Sequence, residues 1–315
     1  MLDFSHIPTS DGGSNVQMFV GRSITVGATY EQWVRPRGKT MCSIFLQGHG
    51  GNGGSGVVGS NNSSAGGGGG GSGASVRLTM PLAMLPDILY LSLAGPGAIN
   101  ITSYITIAPS LTAGGAAPLP NNVLALAAPG QAGGNAATGT AGAAGVAGII
   151  TNMTAATMPL GWGFADTPIV GHVGTAGGTN GVAPALTLPV LGCVTTGGTG
   201  GAGLPASAAA GLAGGLITGA NPFPTVPGGL GGSAATTPPT RGAAGGLVIP
   251  KLNFWYGGTG GGSTHGTSLT TGLVQAAGGD GGYGSGGGGM GGALTASAAA
   301  VISKGGAAIC IIVCW

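Results

Sequence analysis

Blocks of consecutive glycine set directly against β-forming runs constrain this chain more than any other feature. Within residues 33–93 the apolar run Met41-Cys42-Ser43-Ile44-Phe45-Leu46 drops into glycine-rich sequence at 48–56 and again at 66–73. Apolar segments then resume at 76–78 and 88–93. A stretch without side chains has no apolar surface of its own to bury, so its backbone must be the packing surface, with N–H and C=O groups paired. Glycine loses more backbone freedom on ordering than any other residue, and each fixed residue costs on the order of 1–2 kcal/mol. Dense backbone hydrogen bonding and burial against neighbouring copies or partner proteins would offset that loss. The chain is therefore expected to act as an obligate subunit.

The 74 glycines and 20 prolines among 315 residues reach a level usual for low-complexity chains. Disorder, however, goes with low hydrophobicity and high charge. Here only 4% of residues are charged and the mean hydropathy is positive, so an ordered structure is expected. A net charge of +2 supplies no basic field for nucleic acid. One local cluster, Arg35, Arg37 and Lys39, stands near Glu31, and between residues 88 and 240 the only charged residue is Asp166.

The cysteines are Cys42, Cys193, Cys310 and Cys314, and none forms a CxxC pair. Cys310 and Cys314 would lie about 13 Å apart on one strand face at roughly 3.3 Å per residue, too far to bridge. Buried free thiols suit assembly in a reducing cytoplasm. The first residues lack the charged and apolar regions of a signal peptide. No run of about 18 apolar residues occurs, so no membrane insertion is expected.

Taken in order, residues 1–14 read as an N-terminal arm. Short strands are expected at 16–20, 23–26, 30–34, 39–47, 75–80 and 88–93, where β-formers are bounded by Gly, Pro and polar residues. At 99–108, Ile99, Ile101, Ile105 and Ile107 alternate with polar residues, the pattern of a half-buried strand. Residues 15–108 form the first half of a β/glycine-rich domain. Residues 109–250, rich in Ala, Gly, Pro and Thr, read as an insertion of turns and short strands, because Pro129 and repeated glycines break any helix. Residues 251–315 return to the opening theme with strands at 253–256 and 307–315 around the glycine block 278–292. The fold class is mainly β: short strands, glycine-rich extended segments of polyglycine-II type, long irregular loops and little or no helix. Because glycine blocks bracket both ends, they are expected to lie side by side.

Extended glycine can adopt three residues per turn with a rise of about 3.1 Å, close enough for strands to share backbone hydrogen bonds. There is no strict G-X-Y period throughout the chain, which excludes collagen. The entry Trp33-x-x-Pro36-x-Gly38, the strand 41–46 running into glycine, Leu85-Pro86-Asp87-Ile88-Leu89, and a closing strand ending in Trp315 resemble the glycine-rich virion structural proteins of tailed bacteriophages. That resemblance implies tail-fibre or tail-tip components, some of which pack glycine segments as polyglycine-II bundles.

Residues that imitate chemistry are few. Gly48-His49-Gly50-Gly51-Asn52-Gly53 satisfies G-x-G-x-x-G, but no helix follows and no acid stands ~20 residues on to hold a ribose. Gly38-Lys39-Thr40 is the tail of a P-loop whose earlier glycine position is Trp33. His6, His49, His172 and His265 are scattered, without the ligand spacing of a metal site. No catalytic residue, cofactor site or metal ligand is assigned. The aromatic islands Trp162, Phe164, Phe223, Phe254, Trp255 and Tyr256 are candidate interface or receptor contacts.

The expectation is a non-enzymatic structural protein of a phage virion, assembled in the host cytoplasm as a multi-copy tail-tip or fibre component. Its partners would be other copies of itself, other virion proteins, and a host surface glycan or outer-membrane receptor, with no nucleic acid. The rival readings are a capsid-surface decoration or head-fibre protein and, behind it, a glycan-active enzyme.

Overall fold

The structure is a computed structural model that describes residues 14–22, 30–59, 64–109, 122–149, 169–179, 181, 183–187, 195–205, 209–219, 225–233, 237–245, 247–249, 254–264, 275–294 and 301–315. Two antiparallel four-stranded sheets face each other. The first has the order β1-β12-β3-β4, with β1 Asn15–Val20, β3 Met41–Gln47, β4 Ser75–Pro81 and β12 Ile309–Cys314. The second has the order β2-β5-β6-β7, with β2 Glu31–Val34, β5 Ile88–Ser92, β6 Ser103–Thr106 and β7 Val123–Ala127. Small two-stranded pairs join β8 Leu186–Thr187 to β9 Ile217–Thr218, and β10 Leu247–Ile249 to β11 Phe254–Trp255. The 3-10 turn Leu82–Met84 is the one helical element whose residues are all described. The fold is mainly β.

Alternation along the strands decides the core. Cys42, Ile44 and Leu46 of β3, Val76, Leu78 and Met80 of β4, and Cys310, Ile312 and Cys314 of β12 point between the sheets. They meet Trp33, Leu89, Leu91, Ile105 and Leu124 from the second sheet. The opposite parity, Phe45, Ile309, Ile311 and Val313, forms a smaller cluster with Val20, Tyr283 and Trp315 packed against it. The strand anticipated at 99–108 is shorter than its periodicity suggests. Asn100 has φ +53°, which breaks extended backbone, and Ile99 points to solvent at 68% exposure. Pairing begins only at Ser103, opposite Ala127.

Beyond the sandwich, β3, β4, β7 and β12 run directly into glycine-rich segments that pack as a lattice. Residues 64–75 are its clearest hub. The amides of Gly66, Gly69, Ser72 and Ser75 donate to the carbonyls of Gly178, Thr175, His172 and Ile169 at 2.8–2.9 Å. Those of Gly67, Gly70 and Gly73 reach Met290, Gly287 and Gly284 at 2.8–2.9 Å. Those of Gly68, Gly71 and Ala74 reach Gly134, Gln131 and Ala128 at 2.9–3.0 Å. Every third residue thus returns to the same neighbour, the signature of an extended helix with three residues per turn. The hub's carbonyls accept from three further segments: Gly48, Gly51 and Gly54; Gly142, Gly145 and Gly148; and Gly198, Gly201 and Leu204.

A second hub at 284–293 is enclosed in the same way. Its amides donate to Thr196, Thr199 and Ala202, to Gly51, Gly54 and Val57, and to Ala276 and Gly279. The two hubs are each other's neighbours, so the opening and closing glycine blocks lie side by side. By sequence, residues 109–250 read as an insertion of turns and short strands. In the structure its segments around 128–134, 142–148, 171–178 and 196–204 are interleaved with both blocks, and β7 completes the second sheet. The ends of the chain and its middle share one lattice.

Close approach is what demands glycine here. A methyl built on Gly68 would overlap the carbonyl oxygen of Ala143, with no flexible side chain to give way. At Gly284 two constraints coincide: φ is +68°, and the position backs onto the Gln47 side chain. Gln47 marks the junction of sheet and lattice. Its buried Nε2 donates to Gly73 O at 2.8 Å and Ala74 O at 3.2 Å.

Candidate functional site

The described surface offers two features that differ from the rest of the molecule, a charged cleft at one end and an apolar flank on the lattice. The cleft lies where the chain crosses from β2 to β3. Gly38, at φ +72°, turns the connection. Leu82 N–H donates to Thr40 O at 2.7 Å and holds the 3-10 turn against it. The open cleft has a volume of about 800 Å³ and is lined by Arg35, Arg37, Lys39 and Thr40 with Leu82, Ala83 and Asp87. Arg35 is oriented by its ion pair to Asp87 and by donating from Nη1 to Leu85 O at 3.1 Å. The lining thus carries three basic side chains, Arg35, Arg37 and Lys39, against the carboxylate of Asp87. Such a site favours a carboxylate or phosphate group over a cation. β3 enters at the cleft and leaves at the lattice, so the cleft stands roughly 20 Å from the first lattice residues at about 3.3 Å per residue.

The lattice flank has the opposite character. Segments 142–148 and 169–178 are antiparallel neighbours through Gly171 to Gly148, Gly174 to Gly145 and Gly177 to Gly142, each at 2.9 Å. Glycines at every third position face inward. The intervening Val146, Ile149, Val170 and Val173 project outward, each about half exposed. Exposed apolar side chains gathered on one face are a usual mark of a contact surface.

The six aromatic candidates divide. Trp162, Phe164 and Phe223 lie outside the described residues, and Phe254 is described only as backbone of β11. Trp255 is half-buried against Tyr283, with ring centroids 4.8 Å apart in an edge-to-face arrangement. Tyr256 is 2% exposed, and burial pushes its hydroxyl pKa up. The structure thus brings Trp255 and Tyr256 together at the second hub, with Tyr256 on the inside. The cleft cations and the lattice flank were missed as candidates by sequence reading. Clustering of Arg35, Arg37 and Lys39 in a chain with so few charges was the available signal for the first, and glycine at 142, 145 and 148 and at 171, 174 and 177 for the second.

The dinucleotide-like run is structural. The amides of Gly48, Gly50, Gly51 and Gly53 donate to Ala74, Gly306, Gly71 and Ser303 carbonyls at 2.8–3.1 Å, leaving none of these four to cradle phosphate. Its histidine, His49, is fully buried. Ile101 N–H donates to Nε2 at 3.3 Å, and Nδ1 lies 2.8 Å from Gly50 O, so the proton sits on Nδ1. Burial holds its pKa below the ordinary value. His6 and His265 lie outside the described residues, while His172 Nδ1 lies 2.8 Å from Val173 O. Among the described residues no three His, Cys, Asp or Glu side chains gather as a metal site would need, and no helix is long and apolar enough to cross a membrane.

Neither a protein-family model nor a curated protein sequence matches this chain.

Proposed function

We propose that the chain is a structural component of a bacteriophage virion, a multi-copy tail-tip or fibre protein that touches the host surface and works with other copies of itself and other virion proteins. One observation carries this reading. Two glycine hubs are each enclosed by backbone hydrogen-bonded neighbours, in a chain with 4% charged residues. Such a body is stiff because its cohesion comes from closely spaced main-chain bonds. It also offers few exposed side chains of the kind that catalysis requires. A rod-like or plate-like element that must transmit contact and resist unfolding outside the cell is a use that fits it. The apolar flank supports a contact role, and the cationic cleft at the far end of β3 supports docking on a negatively charged part of a partner.

Electron microscopy of particles labelled with antibodies against this chain tests the reading. Label at the tail end is the expected result. Label on the head would move the protein to the capsid surface, and unlabelled particles would remove it from the virion. Adsorption by particles lacking the chain, undiminished on host cells, would remove host contact from its role.

A further inference from the structure

The register between β3 and β12 places Cys42 directly opposite Cys314. The adjoining pair, Met41 and Trp315, exchanges both backbone bonds: Met41 N–H donates to Trp315 O at 3.0 Å, and Trp315 N–H to Met41 O at 3.1 Å. Hydrogen-bonded and non-hydrogen-bonded pairs alternate along an antiparallel ladder. Cys42 and Cys314 are therefore a non-hydrogen-bonded pair, the kind whose Cα atoms stand about 4.5 Å apart with side chains closest. That separation falls within the window of about 4.4–6.8 Å that disulfides occupy. Both thiols are free, buried and on the same core face of the sheet. Cys310 shares that face but stands opposite Leu46, a full four residues along the strand.

We propose that this pair is a covalent modification site, at which a small-molecule disulfide converts the two thiols into a Cys42–Cys314 cross-link between β3 and β12. Cys314 is the attacking group. It ends β12, beside the half-buried Trp315, so opening of the strand's last pair uncovers a sulfur that the closed sheet covers completely, and its pKa is held down beside Cys42, whose own is raised. The Cys314 thiolate attacks one sulfur of the reagent and expels a small thiol. The Cys42 thiolate then attacks the Cys314 sulfur of the mixed disulfide and expels the second. The protein gives up two protons and two electrons, and the reagent's broken S–S bond takes them up as two thiols. The new bond joins two strands between which all the lattice hubs are threaded. It closes nearly the whole chain into one loop, the situation in which a cross-link restricts the unfolded state most.

The test uses the full chain in a Cys193→Ser background, incubated with oxidised glutathione under conditions that keep it folded, then mapped by mass spectrometry without reduction. The expected result is an intact mass lower by two hydrogen atoms and a peptide linking positions 42 and 314. The thermal midpoint should rise by roughly 4–10 °C and fall back with dithiothreitol. Cys310→Ser should keep the link, whereas Cys42→Ser and Cys314→Ser should lose it. A link through Cys310, a stable glutathione adduct on either thiol of the folded protein, or both thiols remaining reduced would each overturn the proposal. The map of the otherwise unaltered chain decides even where a serine variant fails to fold.

Discussion

Gly70 donates its amide to the carbonyl of Gly287 at 2.8 Å, joining two glycine blocks from opposite ends of the chain. Gly287 in turn donates to Gly51 at 2.9 Å, and the Gly51 carbonyl lies where a side chain on Gly70 would have to go. The three segments are thus locked together by main-chain atoms alone. Cohesion of this kind depends on there being no Cβ, which makes it directly testable.

Gly70→Ala should be severely destabilising. Its methyl would overlap the Gly51 carbonyl oxygen and stand 2.7 Å from Asn52 O, so backbone must shift and the Gly287–Gly51 bond weakens. A loss of about 3 kcal/mol or more is expected. Gly181 has nothing within 4 Å of an added Cβ, and Gly181→Ala should change stability by no more than about 1 kcal/mol. Urea midpoints of the two variants decide, and equal midpoints would remove close backbone approach as the source of stability.

Thr199→Val keeps shape but removes a hydroxyl that works inside the lattice. Thr199 Oγ1 donates to Gly215 O at 2.6 Å and accepts from Gly260 N–H at 2.8 Å, at a site with no exposure. Gly260 N–H and Gly215 O would be left with only their 3.2 Å bond to each other, and a loss of about 1–2 kcal/mol is expected. Thr199→Ser retains the hydroxyl and should cost less. Equilibrium unfolding of the pair measures the difference, and equal losses would assign the effect to packing instead.

His49 makes stability depend on pH. Its folded pKa is depressed by burial below the ordinary value, so between the two pKa values the unfolded chain binds more protons than the folded one. The contribution is complete above the unfolded pKa of about 6.5 and is lost as pH falls below it, until the folded pKa is passed. Protonation would also set a ring N–H against the Ile101 N–H. Urea midpoints should therefore drop between about pH 7 and pH 5, and His49→Gln should flatten that slope. A slope unchanged in the variant would assign the effect to another group.

Arg37→Ala combined with Lys39→Ala tests the cleft as a docking point. Arg37 is exposed, and truncation of surface side chains away from special features usually changes stability by about 0.5 kcal/mol or less. Incorporation into particles should nevertheless fall several-fold, most clearly at low salt, where the charge attraction being removed is least screened. Quantitative immunoblots of purified particles measure it. Full incorporation would leave the cleft without this role.

The strands were legible because their apolar runs are bounded by turn residues. β1, β3, β4, β5 and β12 fall within a residue or two of where alternation places them. The stretch 99–108 was read too long, since periodicity carries no sign of the left-handed turn at Asn100. The part the middle region plays in the lattice was not legible because its G-x-x-G spacing is local. It covers Gly142, Gly145 and Gly148, then stops, then reappears at Gly171, Gly174 and Gly177. Interior hubs hide the period altogether, since all their faces are covered and every position tends toward glycine.

What the amino-acid sequence by itself determined is that the chain is mainly β and that its glycine blocks must be paired through backbone. Both follow from residue type alone: β-branched and apolar runs seek a sheet face, and a buried segment without side chains has only N–H and C=O to satisfy. Tertiary structure alone decided which block meets which, and that Cys42 faces Cys314 rather than Cys310. One glycine amide is chemically the same as another, so no side chain names its partner. Register comes instead from the strands that launch each segment, and those are set only once both sheets have packed on their common core.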